Sequence, residues 1–372
     1  MLQLKFKPEL HYFDTCREFA EAFRLTGEDL VLTNRYIYEP FFGPLNLPVH
    51  VVCQEEFGSG EPTDVMVNAI LRVMEKRPCR RIIAVGGGTV LDIAKVLAVA
   101  GTGQLVDDLY ADMGNLEARR ALVLVPTTCG TGSEVTNISI LNRTTLGTKM
   151  GLVSESMYAG QAVLVPELLS RLPYGVFATS SIDALVHAVE SSLSGKATPY
   201  TLLFGEKAIE LIIRGYQVIR DRGPEARAGL MKDFLLASNY AGLAFGTAGC
   251  AAVHALSYPL GGKYHVPHGE ANYSVFIEVM RTYVKSGIQG RLEHVLNILS
   301  RLLYCGPEQA FDRLGDLLEV ILPLKPLHTY GMTEDDVSEF ARSVLAAQQR
   351  LLVNSYVPLS EEQIKAIYTA RL

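Results

Sequence analysis

The sequence predicts an α/β plus all-α protein, with a parallel-sheet domain over residues 1–175 followed by a helical domain over residues 176–372. Three observations carry this. Short β-rich runs alternate with amphipathic stretches up to about residue 170. From about residue 178 the apolar residues recur at helical spacing, punctuated by Gly and Pro. The change of pattern falls in LPYGVFATSS, residues 172–181.

In chain order, DLVLTN, HVVCQ, RIIAVGG, ALVLVPTT and AVLVP read as strands. They are nearly continuous apolar runs, which a parallel sheet covered by helices on both faces requires. TDVMVNAILRVMEKRP lies between two of them as an amphipathic helix. In the second half, SSIDALVHAVESSLSG, TLLFGEKAIELIIRGYQVIRDRG, DFLLASNYAGLAFG, LEHVLNILSRLLY, AFDRLGDLLEVI, DDVSEFARSVLAAQQRLLV and SEEQIKAIYTARL each carry a helical apolar stripe. There is no internal repeat.

Composition narrows the class. Hydrophobic residues make up 48% of the 372, charged residues 20%, and the net charge is −6 with no basic stripe, so nucleic acid is not an expected partner. Cys16, Cys53, Cys79, Cys129, Cys250 and Cys305 include no CxxC pair and read as reduced thiols of a cytoplasmic protein. MLQLKFKPELHYFD lacks the apolar core of a signal peptide. Residues 238–262 contain no Asp, Glu, Lys or Arg and include a GxxxG at Gly242 and Gly246. That length could span a membrane, but the run is built of Gly, Ala and Ser around His254, which argues for a buried helix and no membrane partner.

Two loops of the first half suit a phosphate. RIIAVGGGTVLDIAK is strand, then Gly86-Gly87-Gly88, then helix, so free backbone N–H groups and a positive helix end face the turn. It is not the GxGxxG fingerprint, and a ligand-free tight turn reads equally well from these residues alone. ALVLVPTTCGTGSEVT adds a loop with Thr127, Thr128, Thr131 and Ser133 after the next strand. Two polar loops at the carboxyl ends of strands favour a nucleotide over a bare solvated surface.

The second half concentrates histidines. Asp183 and His187 are four apart and share a helix face. With Ser180 or Ser181 as the helix cap, Asp183 reads more readily as a first-turn acid and His187 as a core histidine. His254 lies in the Gly/Ala run and needs a polar partner if buried. His268, between Pro267 and Gly269, reads as part of a tight turn, with His265 three residues earlier. One Asp and three His would suit Fe(II) or Zn(II), although spacing alone does not assemble them.

GGGTVLDIAK, PTTCGTGSEVT, DALVHAVES, HALSYPLGG and VPHGEAN, in this order and over nearly the whole chain, resemble the iron-dependent (group III) alcohol dehydrogenases. The resemblance implies a dehydroquinate synthase-like fold: a Rossmann-like N-terminal domain binding NAD and a helical metal-binding catalytic domain. It implies Asp183, His187, His254 and His268 as ligands of a divalent metal, Fe(II) favoured over Zn(II). It implies Asn34, Gly86, Gly87, Gly88, Thr89, Asp92, Thr127, Thr128, Thr131, Ser133 and Lys149 as cofactor contacts.

The chain departs from the family's pattern at three places. Asn34 stands where an acid often selects NAD over NADP; Glu61-Pro62 replaces Asn-Pro, so Glu61 could take a ribose contact; and Tyr258 stands where many relatives carry a second histidine. Tyr258 and His265 are therefore the candidate proton relays. Within the family, the expected substrate is an aldehyde with a remote carboxylate, for which Lys263, His265 and Arg350 are the candidate partners. The alternative is a dehydrogenase of neutral alcohols, diols or lactaldehyde, and a metal hydrolase is the rival from another class. A homodimer is expected by family analogy.

Overall fold

The structure, a computed structural model, describes residues 2–372. It divides into two compact units, Phe6–Leu172 and residues 2–5 with Pro173–Leu372.

The first unit runs β1 (Glu9–Tyr12), α1 (Cys16–Phe23), β2 (Asp29–Thr33), α2 (Arg35–Phe41), β3 (His50–Cys53), α3 (Asp64–Lys76), β4 (Arg81–Gly86), α4 (Gly88–Val99), α5 (Val106–Ala111), β5 (Ala121–Pro126), β6 (Ile138–Arg143), β7 (Thr148–Val153) and β8 (Gln161–Leu164). Six strands form one parallel sheet in the order β1-β8-β5-β4-β2-β3. The five runs read from the sequence are β2, β3, β4, β5 and β8. β2 is buried along its whole length, and β4 and β5 everywhere but their first residue. Both faces are covered, so each buried Leu, Ile or Val contributes about 1.5–3 kcal/mol.

Neither β1 nor the antiparallel β6–β7 hairpin is among the runs read as strands from the sequence. β1 is a mostly exposed edge strand, and β6 alternates buried and half-buried residues. After β2 the chain moves outward to β3, whereas after β4 it moves the other way to β5. The carboxyl ends of β2 and β4 thus flank a topological switch point, the place where open α/β sheets hold ligands.

The second unit is helical: α6 (Tyr174–Leu193), α7 (Pro199–Arg222), α8 (Met231–Ala248), α9 (Ala252–Tyr264), α10 (His268–Lys285), α11 (Gly290–Leu303), α12 (Ala310–Ile321), α13 (Glu334–Ala347), α14 (Gln349–Leu352) and α15 (Glu361–Arg371). The uncharged run 238–262 is split between α8 and α9. Among the described residues no helix is long and apolar enough to cross a membrane.

Two sequence readings are corrected here. α6 starts at Tyr174, and the hydroxyls of Ser180 and Ser181 turn back to the carbonyls of Phe177 and Ala178, so neither serine caps the helix. Asp183 therefore lies in mid-helix and is not a first-turn acid. His268 is the first residue of α10, with Pro267 preceding it, and does not sit in an isolated turn.

Candidate functional site

In the helical unit, Asp183, His187, His254 and His268 each aim one ligand atom at a common point, all within 4.8 Å of one another. α6 supplies the first two from one stripe, α9 the third and α10 the fourth. Close approach of α10 to α6 depends on Gly269, where a Cβ would stand 2.7 Å from the Thr179 carbonyl oxygen and 3.2 Å from the Asp183 Cβ. The rings of His187 and His254 stack at 4.7 Å, and Phe245 stacks on His187 at 4.3 Å.

Burial, at 3% exposure, would raise the Asp183 carboxyl. The facing His187, His268 and His254, with the Asn272 amide, outweigh that and hold it below the usual carboxylate range. A charged carboxylate among three imidazoles in a buried setting is a donor set that fits a divalent cation.

Two residues that sequence reasoning missed complete this arrangement. Glu190, 1% exposed, accepts from the backbone N–H of Ala251 at 3.1 Å and of Val253 at 2.6 Å, and lies 2.6 Å from His254 Nδ1. It fixes the proton on Nδ1 and leaves the Nε2 lone pair toward the ligand cluster, the usual outer support of a metal-binding histidine. Glu190, Cys250 and His254 form a second tight group. Burial keeps Cys250 a thiol by raising its pKa, and Glu190 is already spent on α9, so this group supports the first. The signal was present in DALVHAVES, an acid one turn after His187, but only α9 reveals which histidine it serves. Asn272, fully buried, donates to Asp183 Oδ1 at 2.8 Å and stands 3.2 Å from Nε2 of both His254 and His268.

Tyr258 lies one turn beyond His254 on α9. Burial raises its pKa against the opposing pull of His254 and of the facing Arg350 guanidinium, so it holds its proton at neutral pH. His265 caps the end of α9 in the left-handed conformation and is exposed, outside the ligand cluster. Lys263 is exposed and paired with Asp336 and with Glu339.

In the sheet unit, the turns after β4 and β5 meet. A Cβ on Gly88 would stand 2.9 Å from Thr131 Cγ2, and the Thr127 N–H donates to the Gly86 carbonyl at 3.0 Å. Gly87 precedes α4 without a side-chain cap, so first-turn N–H groups remain for a phosphate. Asp92 and Ser133 are engaged with one another at 2.6 Å, and both contact Lys95, a fully buried ammonium absent from the sequence reading. Lys95 also donates to Thr136 Oγ1 at 3.0 Å and the Ile138 carbonyl at 2.8 Å, which ties the Ser/Thr loop to α4. Lys149 on β7 pairs with Glu61 at 2.5 Å. Asn34 donates to Glu55 at 2.9 Å and Gln54 at 3.2 Å. Thr89 donates to the Gly60 carbonyl at 3.0 Å.

Comparison with known proteins gives consistent results for both units. The family described as iron-containing alcohol dehydrogenase matches residues 14–166, and the Fe-containing alcohol dehydrogenase C-terminal family matches residues 177–372. The chain is 47% identical over 368 residues to 4-hydroxybutyrate dehydrogenase of Clostridium kluyveri, covering 99% of each chain. It is 37% identical over 302 residues to long-chain-alcohol dehydrogenase 1 of Geobacillus thermodenitrificans, covering 78% of this chain and 74% of that one. In fold it is similar to the crystal structure of sulfoacetaldehyde reductase from Bifidobacterium kashiwanohense in complex with NAD+, with TM-score 0.85, 23% identity, and 100% and 99% of the two chains covered. A crystal structure of 1,3-propanediol oxidoreductase gives TM-score 0.86 at 24% identity, with 100% of both chains covered.

Proposed function

This chain belongs to the iron-containing alcohol dehydrogenase family and is an oxidoreductase, and on that premise we propose that it interconverts succinate semialdehyde and 4-hydroxybutyrate with NAD(H). The observation that carries the reading is the convergence of Asp183, His187, His254 and His268 within 4.8 Å. These four would hold the metal, Fe(II) in this proposal and Zn(II) the alternative. When bound, the ion supplies Lewis-acid polarisation of a carbonyl and the nicotinamide supplies the hydride.

The chain's own residues do the rest. Glu190 keeps His254 in one tautomer, and Asn272 holds the Asp183 carboxylate in place. The uncapped start of α4, with Gly86, Gly87, Gly88 and Thr89, receives the pyrophosphate, and Thr127, Thr128 and Thr131 border it. Lys95, Asp92 and Ser133 hold that loop in shape. Lys149, on its Glu61 partner, is the ribose contact. Tyr258 holds a proton on Oη and is the donor to the developing alcohol oxygen.

Arg350 takes the remote carboxylate. It faces the Tyr258 hydroxyl, whereas Lys263 is spent on two acids and His265 on the end of α9. A guanidinium matches a carboxylate with paired donors. The 47% identity to a 4-hydroxybutyrate dehydrogenase supports the same substrate. The same reading carries a cytoplasmic homodimer, which sedimentation of the purified chain would check.

NADH oxidation with succinate semialdehyde, followed on metal-stripped protein with Fe(II) or Zn(II) restored, tests the proposal. Turnover that depends on the ion, and falls in Arg350→Ala more for the acid aldehyde than for butanal, is the expected outcome. Metal-dependent turnover of butanal alone would instead assign a neutral alcohol substrate.

A further inference from the structure

The end of β2 sends a mixed message about which dinucleotide fits. Asn34 carries no charge, and Arg35 beside it is the residue type that accommodates a 2′-phosphate. The structure resolves this through the neighbouring strand. Thr33 at the end of β2 is in register with Val85 of β4 on one side and Cys53 of β3 on the other. The chain leaving β3 therefore passes the same crevice as the Gly86–Gly88 turn, and Thr89 on the first turn of α4 ties to that passing segment at Gly60.

From this segment Glu55 reaches back to β2. Its Oε2 accepts from the Asn34 side-chain amide at 2.9 Å and its Oε1 from the Arg35 backbone N–H at 2.6 Å. Both donors are neutral, so the carboxylate is held in place with its charge uncompensated. Arg35 is in the opposite condition. Its guanidinium is taken by Glu56 at 2.6 Å, with Glu39 a further 3.6 Å contact. The third acid of the region, Glu61, is neutralised by Lys149.

The geometry points to Glu55 as the residue that accepts the hydroxyls of the adenosine ribose and excludes a 2′-phosphate. An acid at the end of the strand beside a glycine-rich turn normally does this. Here the strand next door supplies the acid, and Asn34 acts as its bracket. The inference rests on the reading of the β2–β4 crevice as a dinucleotide site. It explains how a chain with Asn-Arg at that position keeps NAD as its cofactor: the positive charge is cancelled and the negative one is retained.

Equilibrium binding of NADH and NADPH to the full chain, read from nicotinamide fluorescence without turnover, tests it. Wild-type protein is expected to prefer NADH. Glu55→Gln, an exposed and isosteric change, is expected to weaken NADH and strengthen NADPH, narrowing the preference by about tenfold or more, the worth of a hydrogen bond to a charged group. The loss of NADH affinity is expected to survive about 0.5 M salt, where a through-space field would be screened. An unchanged preference in Glu55→Gln, a wild-type preference for NADPH, or an NADH loss that vanishes in salt would each overturn the assignment while leaving a dinucleotide site. Binding of neither nucleotide to folded wild-type protein would overturn it together with the dinucleotide reading.

Discussion

Replacing Glu190 by Gln changes one atom in a site with 1% exposure, so its consequence follows from donor and acceptor counting alone. The carboxylate accepts three times: from Ala251 N–H, from Val253 N–H and from His254 Nδ1–H. A carboxamide has one oxygen and one NH2. Ala251 N–H and His254 Nδ1–H share Oε2, whereas Val253 N–H is on Oε1. If the amide oxygen takes the Oε1 place, it keeps the Val253 N–H, and the NH2 opposes the Ala251 N–H and faces His254 Nδ1, which must then accept, so that the ring proton moves to Nε2. That proton points at the ligand cluster and removes one of its four donors. If the amide turns over, its oxygen keeps the Ala251 N–H and His254 Nδ1–H, its NH2 opposes the Val253 N–H, and that buried donor is left without a partner.

The first outcome costs metal affinity, typically 10- to 100-fold for such a supporting residue, or about 1.4–2.7 kcal/mol. Either orientation also leaves one backbone donor unpaired, a second cost of about 1–3 kcal/mol to the fold. Chelator competition measures the first, and thermal unfolding of the metal-free protein measures the second. The metal-induced rise in Tm should shrink in the variant, since that rise follows the affinity for the folded state. Glu190→Gln protein with wild-type metal affinity and unchanged metal-free stability would refute the reasoning.

Three further expectations are open to direct measurement. Gly269→Ala should push α10 from α6, with a Cβ 2.7 Å from the Thr179 carbonyl oxygen, and lower stability by about 1–3 kcal/mol in urea titration, with weakened metal uptake. Lys95→Met should remove a buried cation from Asp92, Ser133, Thr136 and Ile138, destabilising the sheet unit by about 3–5 kcal/mol in chemical denaturation and weakening NADH binding. For Asp29, burial alone would raise the carboxyl, but Arg81, at 2.7 and 2.8 Å, and the Thr26 N–H hold it below its unfolded value. A depressed folded pKa gives stability that is present above about pH 4 and is lost as pH falls through the folded value. Wild type should therefore exceed Asp29→Asn in Tm at pH 7, and the gap should narrow as the pH falls below about 4.

The parts of the fold that are apolar on both faces were legible in the sequence, because β2, β4 and β5 leave no ambiguity of period. β1 and the β6–β7 hairpin were not, since an edge strand and a half-buried ribbon carry little apolar signal. Of the candidate metal cluster, the four proposed ligands were readable only with a family resemblance. Asp183 taken alone looked like a helix-start acid because two serines precede it, and nothing local shows that α6 begins earlier at Tyr174. Glu190, Asn272 and Lys95 act across elements distant in sequence. Their partners are fixed by how α6 packs with α9 and α10, and by how α4 packs under the Ser/Thr loop, which no local pattern encodes. Glu55 escaped notice for the same reason: its meaning comes from strand order.

The stripe of Asp183, His187 and Glu190 on α6 has a consequence for how this chain can change length. These three occupy positions i, i+4 and i+7, so two of the proposed ligands and the support of a third share a single helical phase. Inserting or deleting one residue between Asp183 and Glu190 would rotate everything beyond it by about 100° and advance it by about 1.5 Å, moving one part of the stripe off the centre whichever end is held. Substitutions on the other faces of α6 leave that phase intact. Length variation in this half of the chain should therefore accumulate in connections such as the one between α12 and α13 and be absent from the middle of α6, and a library of single-residue insertions scored for metal retention would trace that boundary.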